Sequence, residues 1–220
     1  GSMGKDLGIT RLYFMKVNSI EERFNHWYNS VSDYRRDKVM KLRVYEDRVR
    51  SLASEVVLRM GLRDVGYEFD DLIIEYSDRG KPDFTKESLH YNLSHSGDYV
   101  LCGISKYPIG VDIEKVRSIN LRIIDRFYSR YEGEYLKGFS GEDKLREFFR
   151  IWSCKESYIK YTGEGLAAPL KSFSVDLMNN TVTREEVLLN CRLHIFELDG
   201  HMASSCYIGE GVEIKEIVLE

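Results

Sequence analysis

The sequence predicts an α+β fold, and the order of its elements is what predicts it. A β-rich opening segment, a long helical stretch and a group of short strands follow one another up to Ser105. The same plan of strand, helices and strands returns from Ile109 to the end, with Tyr107-Pro108 as the hinge. At 220 residues, with 43% hydrophobic residues and three prolines, the chain has the bulk for one large domain or two small ones sharing a core.

From the N-terminus, Gly8–Val17 reads as a strand that ends at Asn18-Ser19. Ser19 is placed to cap a helix from Ile20 to about Trp27, with Glu22 completing a capping box. A single long helix is expected from about Ser32 to Leu62, on the apolar series Val39, Leu42, Val49, Leu52, Val56 and Met60. Leu72–Tyr76 reads as a strand, stopped by the turn Ser77-Asp78-Arg79-Gly80, with Lys81-Pro82 after it. Ser94 and His95 end the next strand at a glycine turn, and Asp98–Ser105 is the strand that follows. In the second half, Ile109–Glu114 is a strand and Asn120–Leu136 a helix. A further helix carries an apolar stripe at Leu145, Phe149, Trp152 and Ile159, and Gly163 suits its C-terminus. Strands are expected at about Ser172–Leu177, Cys191–Leu198, Ala203–Gly209 and Val212–Leu219.

Two of these elements carry chemistry. In the strand, Ile109, Val111 and Ile113 fall on one face and Asp112 and Glu114 on the other. In the helix, Glu156 sits on the apolar stripe, one turn after Trp152 and one before Lys160. A carboxylate at such a position is desolvated and needs a cation or metal to stay charged. A half-exposed strand and a Glu-Lys surface pair are the plain alternatives. A basic run, Arg35, Arg36, Lys38, Lys41, Arg43, Arg48 and Arg50, reads either as a solvated helix face or as an anion site. Ser94 and His95 bring a hydroxyl, an imidazole and turn amides to one place, which also suits an anion.

The literal residues say more. Gly110-Val111-Asp112-Ile113-Glu114, followed by Trp152-Ser153-Cys154-Lys155-Glu156-Ser157-Tyr158-Ile159-Lys160, resembles the two signature motifs of the 4'-phosphopantetheinyl transferases. The likeness is to the surfactin-type branch, which is monomeric and about this long. Gly80-Lys81-Pro82 and Asn92-Leu93-Ser94-His95-Ser96 resemble two further motifs of that family, so the resemblance covers roughly residues 32 to 176. It implies two similar α+β halves related by a pseudo-two-fold axis, 8–108 and 109–220, with the active site between them. It implies transfer of the phosphopantetheine arm of coenzyme A to a serine of an apo acyl or peptidyl carrier protein. Mg2+, or Mn2+, is then held by Asp112, Glu114 and Glu156. Glu156 can also serve as general base, directly or through water, and Lys160 contacts the pyrophosphate. Coenzyme A is bound by Arg35, Lys38 and Arg50 at its 3'-phosphate, by Ser51 at the pyrophosphate, and by Lys81, Pro82, Ser94 and His95. The segment Leu121 to Arg130, with Arg122, Arg126 and Arg130 among apolar residues, reads either as a carrier-docking face or as an amphipathic helix whose arginines merely face solvent. A non-catalytic homologue that binds coenzyme A or a carrier, and another metal-dependent phosphoryl or nuclease enzyme, are the competing readings.

The totals narrow the classes. A net charge of -4 argues against a general nucleic-acid or membrane binder, and no apolar run approaches the ~20 residues that span a bilayer. Cys102, Cys154, Cys191 and Cys206 are scattered, and the five histidines lack zinc spacing, which fits a reduced cytosol. Gly1-Ser2-Met3 reads as a cloning remnant rather than the start of a secretory signal.

Overall fold

The computed structural model describes residues 4–220, and Gly1-Ser2-Met3 lie outside the described residues. The architecture is α+β. The first half runs β1 (Ile9–Lys16), α1 (Asn18–Glu22), α2 (Phe24–Ser30), α3 (Asp33–Lys41), α4 (Tyr45–Asp64), β2 (Glu75–Tyr76), β3 (Pro82–Asp83), β4 (His90–Ser96) and β5 (Tyr99–Ser105). The second runs β6 (Ile109–Lys115), α5 (Ile124–Phe127), α6 (Arg130–Leu136), α7 (Gly141–Thr162), β7 (Phe173–Asp176), β8 (Thr181–Arg184), β9 (Val187–Leu198), β10 (His201–Tyr207) and β11 (Gly211–Glu216). In each half one long helix, α4 or α7, packs its buried face on a mostly antiparallel sheet. The sheets are ordered β11-β1-β5-β4 and β6-β10-β9-β8-β7. The last strand therefore returns to the first sheet, where it pairs parallel with β1.

Three expected helices are broken, each for a local reason. No capping box forms at Ser19, because the Val17 carbonyl already receives the Ile20 and Glu21 amides and the helix starts at Asn18. That helix also stops at Glu22, and Arg23, at φ -131°, separates it from α2. The single helix from Ser32 to Leu62 is α3 and α4, parted at Leu42-Arg43-Val44. The break falls where the apolar series has its widest gap, between Leu42 and Val49, and Arg48 braces it by donating to the Leu42 carbonyl at 2.6 Å. The consequence is large. Along one straight helix Arg35 and Ser51 would stand about 24 Å apart, whereas here Arg35 Nη1 donates to Ser51 Oγ at 3.2 Å. The third break splits Asn120–Leu136 at Tyr128-Ser129, where Ser129 and Glu132 make a full capping box for α6. Strand β8 was not expected at all, and Leu72–Tyr76 contracts to the two residues of β2.

The two sheets meet at β4 and β6, each the edge strand of its own sheet. Among the described residues no backbone ladder joins them, and side chains of β4 do so instead. Asn92 Oδ1 accepts from the Val111 amide at 2.8 Å, Ser94 Oγ from the Ile113 amide at 3.1 Å and Ser96 Oγ from the Lys115 amide at 2.9 Å. Positions i, i+2 and i+4 of a strand share a face, so alternate polar residues suffice. Lysines satisfy carbonyls along the same seam. Lys81 Nζ donates to Ile109 O at 2.9 Å, and Lys160 Nζ to Leu93 O at 2.9 Å and Val111 O at 3.0 Å. Helix α7 lies so close that a Cβ on Gly110 would come within 2.0 Å of the Ser157 carbonyl oxygen. Only glycine fits there.

Asn92→Ala removes one acceptor and strands a buried amide, which costs about 1–3 kcal/mol. Urea denaturation checks this. A loss under ~0.5 kcal/mol, the scale of an ordinary surface substitution, would mean that the seam bonds are dispensable.

Candidate active site

Strand β6 is buried along both faces through Ile113, so it is not a half-exposed strand. Asp112 is only 5% exposed, and its Oδ2 is a buried acceptor without a partner. Burial, and then the charge of Glu114, push the Asp112 carboxyl well above the usual carboxylate range. Burial also raises Glu114, against the pull of Asp112, Arg117, Lys160 and the Trp152 indole. Glu156 is raised by burial and next by Glu114, with Lys160 opposing. Lys160 is lowered by burial, while the three carboxylates pull it back up. Strand β6 and helix α7 thus bring Asp112, Glu114, Glu156 and Lys160 into one electrostatic group.

A cleft of about 660 Å³ opens beside that group, walled by α3, α4, β4 and the β2–β3 hairpin. It gathers five of the expected coenzyme A residues: Arg35, Lys38, Ser51, Pro82 and His95. The Nε of Arg35 is buried with no partner. His95 lies open to the cleft, yet the walls strip water from it and Arg50, Lys160 and Arg35 add positive charge. Its pKa falls to about 4. The other three stand at the edges. Arg50 donates to the Gly97 carbonyl at 3.1 Å and to Asp47 at 2.7 Å. Ser94 and Lys81 sit in the seam, and burial lowers the Lys81 pKa against the pull of Asp83.

Sequence reasoning missed the pair that steadies Glu156. Its neighbour Lys155 is fully buried and donates to both oxygens of fully buried Glu132, at 2.7 and 2.9 Å, and to the Phe173 carbonyl at 2.8 Å. Glu132 also receives the Ser129 and Val175 amides. The helix is thereby tied to α6 and β7 on one side of the carboxylate group. The pattern Ser129-x-x-Glu132 was the available signal.

Comparison with known proteins identifies the family. A family model described as 4'-phosphopantetheinyl transferase superfamily matches residues 108–204, and one described as 4'-phosphopantetheinyl transferase, N-terminal, matches residues 16–106. The chain is 31% identical over 210 residues to the 4'-phosphopantetheinyl transferase gsp of Aneurinibacillus migulanus, covering 91% of this chain and 87% of that protein. The chain belongs to the 4'-phosphopantetheinyl transferase superfamily. To the 4'-phosphopantetheinyl transferase Sfp of Bacillus subtilis (strain 168), this family member is 32% identical over 192 residues, 84% of this chain and 86% of that one. A further Bacillus subtilis transferase, ffp, is 34% identical over the same shares.

Among the described residues of this transferase, no three His, Cys, Asp or Glu side chains stand close enough together to hold a metal by themselves. The donor set nonetheless fits a hard divalent cation. An orphaned buried oxygen on Asp112 and three carboxylates raised by burial, Asp112 and Glu156 also by the charge of Glu114, are what a cation would relieve. Mg2+ commonly takes one or two carboxylates and completes its shell with substrate oxygens and water.

The low His95 pKa gives a signed expectation. In the free protein the imidazole is neutral at pH 6, and an adjacent phosphate would raise its pKa and draw a proton. Coenzyme A binding at pH 6 should therefore take up more protons in the natural chain than in His95→Gln. Calorimetry in buffers of different ionisation enthalpy measures this, and equal uptake would remove His95 from the phosphate site.

Proposed function

We propose that this protein transfers the 4'-phosphopantetheine arm of coenzyme A to a serine of an apo acyl or peptidyl carrier protein and releases 3',5'-ADP. The observation that carries the reading is a cleft lined by Arg35, Lys38 and His95 and set beside three carboxylates that burial raises. The family membership points the same way.

The serine oxygen bonds to the β-phosphorus as the bond from that phosphorus to the bridging oxygen breaks. Arg35, Lys38 and His95 hold the nucleotide phosphates, with Arg50 beside them, and Ser51, Lys81, Pro82 and Ser94 line the path toward the seam. Asp112, Glu114 and Glu156 are the groups that would hold Mg2+ or Mn2+, which supplies neutralising charge at the pyrophosphate. Glu156, raised by burial, accepts the serine proton at its carboxylate. Lys160 spends two donors on the Leu93 and Val111 carbonyls and keeps a third for the departing phosphate.

The halves 8–108 and 109–220 then flank the active site. A groove of about 450 Å³ that includes Leu121, Ile124, Arg130, Lys137 and Lys171 extends the expected carrier-docking segment, although that segment is a short turn and α5 rather than one helix. We place the protein in the cytoplasm as a monomer, apart from nucleic acid and membrane. The net charge and four buried free thiols support this, and no described helix is long and apolar enough to cross a membrane.

Incubation with coenzyme A, Mg2+ and an apo carrier domain, followed by mass spectrometry, tests the reading, and an unmodified carrier overturns it. Asp112→Ala should abolish transfer. Glu156→Gln keeps the shape but loses the basicity, so turnover should fall at least ~100-fold while coenzyme A still binds. Near-normal turnover with an unchanged acidic limb would mean that Glu156 is not the base.

A further inference from the structure

Two tyrosines at the mouth of the cleft have no part in the roles above. Tyr34, on α3, and Tyr76, on β2, both line it, and each is 57% exposed. A single exposed aromatic needs no explanation, but two that meet across a cavity do. Tyr34 lies close enough to add to the burial that raises the Tyr76 pKa.

They arrive from supports of different stiffness. Helix α3 is locked to α4, since Ser32 Oγ donates to Glu55 at 2.5 Å and Arg35 donates to Ser51. Strand β2 belongs to the two-stranded β2–β3 hairpin, which lies outside both main sheets. The hairpin's base is pinned, with Thr85 donating to Glu75 at 2.5 Å and His90 against Asp83 at 3.0 Å. Its tip turns at Gly80, at φ +86°, with open space around it. Tyr76 therefore stands on a small hairpin, anchored to the seam by Lys81, opposite the wall that α3 makes.

The lining between them asks for a ligand of two characters. The Arg35 Cζ and Lys38 Nζ lie 5.9 and 6.0 Å from the Tyr34 ring centroid, so one side is cationic. Phe69, Leu72 and Ile74 make another side apolar. A flat apolar ring joined to phosphate satisfies both, and that describes a nucleotide.

We propose that Tyr34 and Tyr76 close over the base of the coenzyme A nucleotide as a two-sided aromatic clamp, and so set the preference for a nucleotide-bearing donor. This rests on the reading of the cleft as the coenzyme A site. Entry of the base between the two rings replaces their exposure to solvent by stacking. Removing such a stack typically lowers affinity by about tenfold.

The test is equilibrium binding of coenzyme A, 3',5'-ADP and inorganic pyrophosphate to the full chain and to Tyr34→Ala, Tyr76→Ala and Tyr34→Phe. Both side chains are exposed enough for these variants to fold. Each alanine variant should bind coenzyme A and 3',5'-ADP about tenfold more weakly, with pyrophosphate, which has no base, unchanged. Tyr34→Phe keeps the ring and should keep most of the affinity. Natural-chain affinity for 3',5'-ADP in both alanine variants overturns the clamp, as does a parallel loss for pyrophosphate. If the natural chain binds neither coenzyme A nor 3',5'-ADP, the reading of the cleft falls and the clamp falls with it.

Discussion

The side-chain seam between β4 and β6 is the constraint on which the rest of the structure depends. An edge strand presents a row of unpaired amides and carbonyls, and a two-sheet protein has to answer two such rows where its sheets meet. Here Asn92, Ser94 and Ser96 answer the amides of β6, and Lys81 and Lys160 answer carbonyls on both strands. The exchange fixes the register of one half on the other. It also sets the Asp112 and Glu114 side chains of β6 within electrostatic reach of Glu156 and Lys160 on α7. A backbone ladder would have bound the halves equally well, but it would have left no place for the lysine between the strands.

Burial at this seam dominates the electrostatics. It raises all three carboxylates and lowers Lys160, and in each case it outweighs the opposing attraction between lysine and carboxylates. Desolvation wins over a single buried ion pair in general, because one partner restores only part of the lost hydration. The group is therefore under-neutralised as it stands. That is the condition in which a carboxyl group serves as a proton acceptor near neutral pH and in which a divalent cation is most strongly drawn.

Much of this was legible in the sequence, and the exceptions have physical causes. The alternation in Ile109–Glu114 placed both carboxylates on one face, and β6 forms as expected. The desolvation of Glu156 followed from its place on the apolar stripe, and its pKa is raised. The stripe itself was off-centre on the helix, since only Phe149 of its four members is buried, whereas Phe148, Ile151, Cys154 and Tyr158 are buried as well. Periodicity also ran straight through the break at Leu42-Arg43-Val44, because apolar spacing reports which residues face a core and not whether the axis between them is straight. That break is what folds Arg35 against Ser51 and closes the cleft. The seam was out of reach for another reason. The Asn-x-Ser-x-Ser alternation was visible, but its partner is a backbone about nineteen residues away whose position only the tertiary structure supplies.

The central proposal is that the seam between the halves holds Asp112, Glu114 and Glu156, all of the second half, as one cation site. Titration of Mn2+ into the coenzyme A complex, read by water-proton relaxation, tests it most directly in the natural chain and in a variant with Ser96→Ala and Asn92→Ala together. Outer-shell hydrogen bonds of this kind typically support metal affinity by about 10–100-fold. The account predicts a loss in that range, with coenzyme A affinity lowered less, because Asn92 borders the cleft but Arg35, Lys38, Ser51 and His95 are untouched. Unchanged Mn2+ affinity in a folded double variant would contradict it.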